Sequence, residues 1–397
     1  MAGDDEGLAR RNVLGLGVTS LLTDVSTEMI LAILPFYATE VLGIQMEALG
    51  FIEGAAETVA SLLKGVSGKI SDKFMRRKPF AILGYGISAF TKPLFGITST
   101  WHHILTVRIA DRIGKGIRTA PRDALLASSI EPSLRGRAFG LHRMMDTLGA
   151  ITGPLISLVM LTYGFSYRTI FFLTIIPGLL AILFLVPVRE ATERSIERRS
   201  NFIEKEATYS AEESGVLTWK FAIFIAAVTI FSLGNFSYAF WLLRSSEAGI
   251  PVNLVPLFYT LHNIAYALAA LPAGELSDRI GREKVLASGY IAFALACLGF
   301  TFTNTFTTAA LLLILYGVFR AITDTVQRAM ASDLAKRREL GTAFGVLHTA
   351  VGLSALPSST IAGLLWSMYG SWAAFTYGAV LAIISTFLLS IWAKIKS

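Results

Sequence analysis

Between residues 103 and 128 the chain carries Arg108, Asp111, Arg112, Lys115, Arg118, Arg122 and Asp123 inside an otherwise apolar stretch. At about 100° per residue of α-helix these seven fall within an arc of about 140°, so one helix face is ionic. Acidic partners stand elsewhere: Asp24 and Glu28 one turn apart, Glu53 and Glu57 one turn apart with Lys64 on the same face, and Asp146 three residues after Arg143. Two kinds of chemistry follow from carboxylates and cations sequestered together. They can pair and fix helix register, or the carboxylates can take up and release protons as their surroundings change. Counting Lys64, Lys92, Arg108, Arg112, Lys115, Arg118, Arg122 and Arg143 against Asp24, Glu28, Glu53, Glu57, Asp111, Asp123 and Asp146 gives eight bases to seven acids. Such near-cancellation leaves both alternatives open, with Asp24, Glu28 and Arg112 as the leading candidates for a proton relay.

The elements that position these groups are membrane helices. Of the 397 residues, 53% are hydrophobic and 16% charged, a balance that belongs in a bilayer. Twelve stretches of about 20 residues or more can each cross a hydrocarbon core. They run over 13–37, 46–70, 79–98, 103–128, 137–162, 167–187, 218–243, 252–277, 284–304, 306–331, 342–367 and 370–393. A charged span must turn its ionic face to protein or water, so span 4 looks into a bundle or cavity. Spans 6, 9 and 12 have uncharged cores and span 3 has only Lys92 there, as expected of outer helices facing lipid.

The chain also repeats itself. GKISDKFMRRKPFAILG at 68–84 returns as GELSDRIGREKVLASG at 274–289, and an offset of 206 relates Gly68 to Gly274, Asp72 to Asp278, Arg122 to Arg328 and His142 to His348. Adding 206 to the first six spans lands on the last six. An internal duplication in a hydrophobic chain points to two membrane bundles that rock about a shared site. The expected fold is therefore all-α, with twelve transmembrane helices in two pseudo-symmetric six-helix bundles. The first occupies residues 1–188 and the second 218–397, joined by a charged linker at 189–217.

Lys and Arg gather at one end of the spans: Arg10, Arg11, Lys73, Arg76, Arg77, Lys78, Arg135, Arg137, Arg279, Arg282, Lys284, Lys336, Arg337, Arg338, Lys394 and Lys396. This bias places both termini in the cytoplasm of a multi-pass protein of the cell inner (plasma) membrane, and explains the net charge of +7 without nucleic acid. The opening MAGDDEGLARRN shows no cleavage-site pattern, so the first apolar run is expected to be a retained span. One cysteine, Cys297, excludes intramolecular disulfides and Cys-based metal clusters, and the lack of a phosphate-binding glycine loop or a His-Glu-x-x-His pattern argues against ATP-driven pumping and a metal enzyme. His142 and His348 without a fixed carboxylate spacing fit helix packing better than metal. Neither a metal nor a cofactor is expected, and an enzyme is not.

Twelve spans with the duplicated G-x-x-x-D-[RK] loop resemble the major facilitator superfamily over nearly the whole chain. The second copy, with Gly274, Asp278, Arg279, Gly281 and Arg282, follows the family loop closely, while the first has Met75 where glycine is usual. Arg112, Lys115 and Gly116 in span 4, and Gly149, Gly153 and Pro154 in span 5, resemble motifs of its proton-coupled exporters, though Lys115 stands where glutamine is commoner. GKGIRTAPRDALLASS also resembles a group of prokaryotic permeases. The resemblance implies alternating access by a monomer in the lipid bilayer that moves a small-molecule solute, with H⁺ as the coupling ion and export as the direction. An importer or exchanger of an organic anion or metal complex, and a non-transporting membrane receptor or assembly subunit that kept the fold, are the alternatives.

Further roles can be assigned on this frame. Gly68, Asp72, Arg76, Arg77, Arg122 and Asp123, with Gly274, Asp278, Arg279 and Arg282, form a candidate latch in which Asp72 meets the start of span 11 near Gly341, where a helix N-terminus favours an anion. The candidate solute cavity takes Arg118, Arg143 and Asp146 from the first half. From the second it takes Asn235, Tyr238, Trp241, Tyr259, His262, Asn263, Tyr266, Arg320 and Asp324, able to stack and hydrogen-bond an organic solute. Ile230, Gly234 and Val318 stand at the repeat equivalents of Asp24, Glu28 and Arg112, so coupling chemistry is expected in the first half.

Overall fold

A computed structural model describes residues 2–74, 76–130, 134–190, 219–335 and 340–396. Linker residues 191–217 and the loop residues 336–339 lie outside it, as does the side chain of Asp72, which the expected latch would bring to the start of span 11 near Gly341. Twelve helical spans follow in order: α1 Ala2–Leu31, α2 Met46–Phe74, α3 Lys78–Thr91, α4 Trp101–Ser128, α5 Arg135–Thr162, α6 Tyr167–Leu185, α7 Trp219–Glu247, α8 Val255–Ile280, α9 Arg282–Phe302, α10 Phe306–Leu334, α11 Leu340–Tyr369 and α12 Ser371–Lys396. Ten are long and apolar enough to cross a membrane by themselves. The remaining two, α2 and α4, are the charged ones. They are shielded by packing on each other and, respectively, on α11 and α3.

Outer faces of α3, α6, α9 and α12 are greasy, with Leu83, Phe90, Leu183, Leu295, Phe302 and Phe387 exposed, as the uncharged cores of those helices predict. Lys92 departs from that surface. It is buried, and its ammonium reaches the Thr23 carbonyl of α1 at 3.3 Å.

Three spans are interrupted where sequence reading expects continuous helix. In α1, Pro35 has no N–H for the Leu31 carbonyl, and the helix breaks at Ala32 and Ile33 before resuming as Leu34–Phe36 and a π-turn, Tyr37–Val41. α6 is offset at Thr174, between Tyr167–Leu173 and Ile175–Leu185. In α7 the helix stops at Gly234 and restarts at Tyr238. Neighbouring helices repair that last gap: Ser237 N donates to Ser359 Oγ of α11 at 3.1 Å, and the Leu233 carbonyl accepts from Tyr377 of α12 at 2.7 Å. Broken backbone in hydrocarbon survives only with such substitutes.

The two bundles meet along α2–α11 and α5–α8. On α2–α11 the contact runs in steps of one turn through small residues. Gly363 faces the Met46 carbonyl, Gly50 the Ser359 carbonyl, Gly54 the Ala355 carbonyl, and Gly352 the Ser61 side chain. Further toward the end that carries the termini, Gly65 and Gly345 meet nothing within 4 Å, and neither does Gly140 on α5. The halves are thus closed at the end remote from the termini and splayed at the other. A methyl on Gly363 would lie 2.3 Å from a backbone oxygen that cannot move aside. Gly363→Ala is therefore expected to cost the closed arrangement about 1 to 3 kcal/mol. A disulfide between Glu47→Cys and Ser367→Cys, whose parent side chains hydrogen-bond across this seam, should form readily in the parent and slowly in that background; equal rates would show that the seam tolerates the methyl.

Candidate functional site

Between the halves lies a cavity of about 420 Å³. Its first-half wall is charged because α1, α2 and α4 each turn their ionic residues inward. Arg108 anchors that wall: Nε donates to Glu53 Oε1 at 2.9 Å and Nη2 to Glu53 Oε2 at 2.8 Å, in a two-point pair that is almost wholly buried. Asp111 stands 4.0 Å from the same guanidinium and accepts from Ser88 at 2.5 Å.

Other charged groups of the cavity are not neutralised in this way. Among the described residues, Asp24, Glu28, Glu57, Arg112 and Lys115 have no ion-pair partner within 4.0 Å, although all five line the cavity. The expected alternatives of a paired network and a free relay are therefore both realised, on different residues. Arg112 is paired with neither Asp24 nor Glu28; it is 4% exposed and its Nε has no hydrogen-bond partner.

Position of the α1 carboxylates is set by α5. A Cβ on Gly149 would fall 2.5 Å from the Leu21 carbonyl and 2.8 Å from Asp24 Cβ, and one on Gly153 would fall 2.8 Å from Glu28 Cβ. Only glycine lets α1 approach closely enough to seat both acids in the cavity.

The second-half wall supplies hydroxyls and amides, several of which close the seam. Glu28 Oε2 accepts from the Tyr259 hydroxyl at 2.8 Å, and Glu53 Oε2 from the Ser237 hydroxyl at 3.4 Å. Tyr238 donates to the Leu31 carbonyl at 3.2 Å and Asn263 to the Ala150 carbonyl at 2.8 Å. These two carbonyls share a history. Each lies four residues before a proline, Pro35 or Pro154, and so lacks its helical N–H donor. The second half reaches across to occupy both.

Arg143 donates to the Tyr266 hydroxyl at 2.6 Å, and Asp146 pairs with His142 at 3.5 Å. With Asn235, His262, Arg320 and Asp324 they line the cavity as expected. Two expected cavity residues do not. Trp241 is fully buried among Phe236, Tyr316 and Phe375, and Arg118 lies over the Tyr85 ring of α3 at 4.7 Å. Both sit on faces that turn away from the cavity, a distinction of a few tens of degrees that residue type does not reveal. Stacking also differs from expectation: Tyr238, Tyr259, His262, Tyr316 and Trp241 form a ladder in which each ring covers the next.

At the termini end, Arg122 pairs with its neighbour Asp123 at 2.7 Å and donates to Ser20 at 3.1 Å. In the second loop Arg282 holds Asp278 at 2.6 Å and Asp333 of α10 at 2.9 Å, while Gly281 makes the turn at φ +105°. These contacts stay within one bundle. Gly68 and Gly274 lie inside α2 and α8, and Arg76 and Arg279 are exposed. The Arg77 and Lys78 amides both bind the Glu190 carboxylate, at 2.5 and 2.6 Å, which caps the start of α3. No group of three or more metal-ligating side chains occurs among the described residues.

Sequence reading missed Pro35, Ser237 and Ser359. The proline within span 1 and the Gly-Asn-x-Ser run of span 7 were the available signals.

Two helical bundles enclosing a charged cavity that is open at one end define a membrane solute transporter. The sequence pattern of the Major Facilitator Superfamily matches residues 16–259 and again 221–396, and the chain belongs to that family. It is 38% identical over 386 residues to an uncharacterized MFS-type transporter of Methanocaldococcus jannaschii, covering 96% of this chain and 94% of the relative. A multidrug resistance protein MdtG of Serratia proteamaculans is 23% identical over 306 residues, 75% of this chain and 72% of that protein. Among solved structures, a D-xylose-proton symporter superposes with a TM-score of 0.77 at 15% identity, over 96% of each chain.

The proline-freed carbonyls yield a double-mutant test. Asn263→Ala alone should weaken closure of the remote end by about 1 kcal/mol. Pro154→Ala restores a helical donor to Ala150, so adding Asn263→Ala to it should cost measurably less than in the parent. Labelling of cavity cysteines from either side reads the closure; strict additivity would show that the two residues act separately.

Proposed function

We propose that the protein is a proton-coupled secondary transporter that exports a small organic solute by alternating access, acting as a monomer in the cell membrane with both termini cytoplasmic. The observation that carries this reading is the set of three cavity carboxylates, Asp24, Glu28 and Glu57, that no cation among the described residues meets within ion-pairing distance. In a low-dielectric site an unpaired carboxylate exchanges its charge with a proton when access changes. Glu28 joins that exchange to the gate, since its Oε2 receives the Tyr259 hydroxyl from the other half. As a carboxylate it is a strong acceptor that holds the remote end shut. Once protonated it is a weaker one, so the charge on Glu28 sets how firmly that end is held.

With the positive-inside bias putting the termini in the cytoplasm, the splayed end faces the cell interior and loads solute from it. Protons entering from the opposite side would then accompany the return, giving antiport. Likeness to a relative named for multidrug resistance supports export, and Gly149, Gly153 and Pro154 fit the same reading. A second reading, import or exchange of an organic anion, is favoured by one observation, the partnerless Nε of Arg112.

Purified protein in liposomes separates these readings. With an imposed pH gradient, Asp24→Asn with Glu28→Gln should abolish gradient-driven flux while leaving solute counterflow, which needs no proton, largely intact. Full gradient-driven transport by the double variant would eliminate the relay, and dependence on Na⁺ alone would replace the coupling ion.

A further inference from the structure

The cavity's own chemistry narrows its cargo. Charges of both signs line it, and among the described residues Glu57, Arg112 and Lys115 have no ion-pair partner within 4.0 Å. A solute carrying a single charge leaves one of these sets unanswered in a site where unanswered charge is costly. The rings of the second-half ladder offer little surface to a greasy ring. Tyr238 and Tyr259 stack at 5.2 Å and 14°, Tyr259 and His262 at 5.9 Å and 8°, and His262 and Tyr316 at 5.0 Å and 25°. Their faces are spent on one another. What remains for a solute is edges and the amide of Asn235, which lines the cavity and whose Oδ1 has no hydrogen-bond partner. That unused polar group would repel an apolar body and receive a hydrogen-bonding one.

We infer that the cargo is a compact, polar zwitterion, its carboxylate or phosphate meeting Arg112 and Lys115, its ammonium meeting Glu57, and its body hydrogen-bonding Asn235. This rests on the reading of the cavity as the transport site and assigns it a solute class different from the lipophilic cations of multidrug efflux. Two-signed recognition also fits proton exchange, because protonating one cavity carboxylate removes part of the counter-charge for the ammonium and favours release.

The test uses the full chain in detergent and in liposomes, with binding read by calorimetry and thermal unfolding. The panel pairs α-amino acids, phosphoethanolamine and phosphocholine with molecules carrying only one of their charges, and adds tetraphenylphosphonium and ethidium as lipophilic cations. At least one zwitterion should bind, its single-charge counterparts should bind about tenfold more weakly or worse, and Arg112→Gln or Glu57→Gln should each weaken it by about tenfold or more. Unfolding without solute shows whether each variant is folded, and either one suffices. Tighter binding of a lipophilic cation than of every zwitterion overturns the inference, as does binding by no zwitterion at all. Zwitterion binding without pH-driven flux would uphold it while sinking proton-coupled export, and pH-driven flux of ethidium would do the reverse.

Discussion

Charge sequestered from water has to be answered by something, and the architecture follows from how each charged side chain of α2 and α4 is answered. Two helices too polar to stand in lipid alone must be surrounded, which places them inside the bundle. Arg108 and Glu53 answer each other through two hydrogen bonds and set the relative register of α4 and α2. Lys92, on an otherwise greasy helix, is answered by the Thr23 carbonyl and ties α3 to α1. With these groups satisfied, the ones left over, Asp24, Glu28, Glu57, Arg112 and Lys115, are free to face the cavity. The same accounting thus separates the scaffold from the site.

Backbone groups obey a parallel rule. Every interruption of a span releases an N–H or a carbonyl into a medium without water, and another helix must supply the missing partner. For α7 the partners come from the same half, through Ser359 and Tyr377, so the break is braced internally. For Pro35 and Pro154 they come from the opposite half, through Tyr238 and Asn263. A proline in the first bundle consequently frees a carbonyl four residues earlier that accepts from the second, and separation of the halves must leave those carbonyls to water admitted into the opened cavity.

Much of this was legible in the sequence, because the relevant signals are local. Spans are read from apolar length, the two halves from the offset of 206, and the inward face of α4 from its periodicity. Partners were not legible. A helical wheel says that Arg108, Arg112 and Arg118 share a broad face, yet one meets Glu53, one stands in the cavity and one lies on Tyr85, since the outcome depends on which neighbour crosses at that level. Trp241 was misplaced for the same reason, as aromatic residues suit a cavity wall and a core equally well. The repeat also held more information than its shared residues. Glu53 and Glu57 correspond by the offset to Tyr259 and Asn263, so positions that carry acids in one half carry hydrogen-bond donors in the other, a division of labour that appears only when the two copies are compared where they differ.

The contact between α1 and α5 has a mechanical consequence. Where side chains separate two helices, rotamer changes act as a cushion and small displacements are absorbed. At Gly149 and Gly153 there is no cushion, since a single added methyl would already collide with the backbone of α1 and the roots of Asp24 and Glu28. Close-packed backbone is nearly incompressible. The helix pair therefore behaves as one stiff strut, with the acids riding at its middle and Ala150, gripped by Asn263, on its far flank. A strut cannot store displacement; it must pass it on. A displacement of α1 at the carboxylates is therefore carried into α5 and, through Ala150, to Asn263 of the opposite bundle.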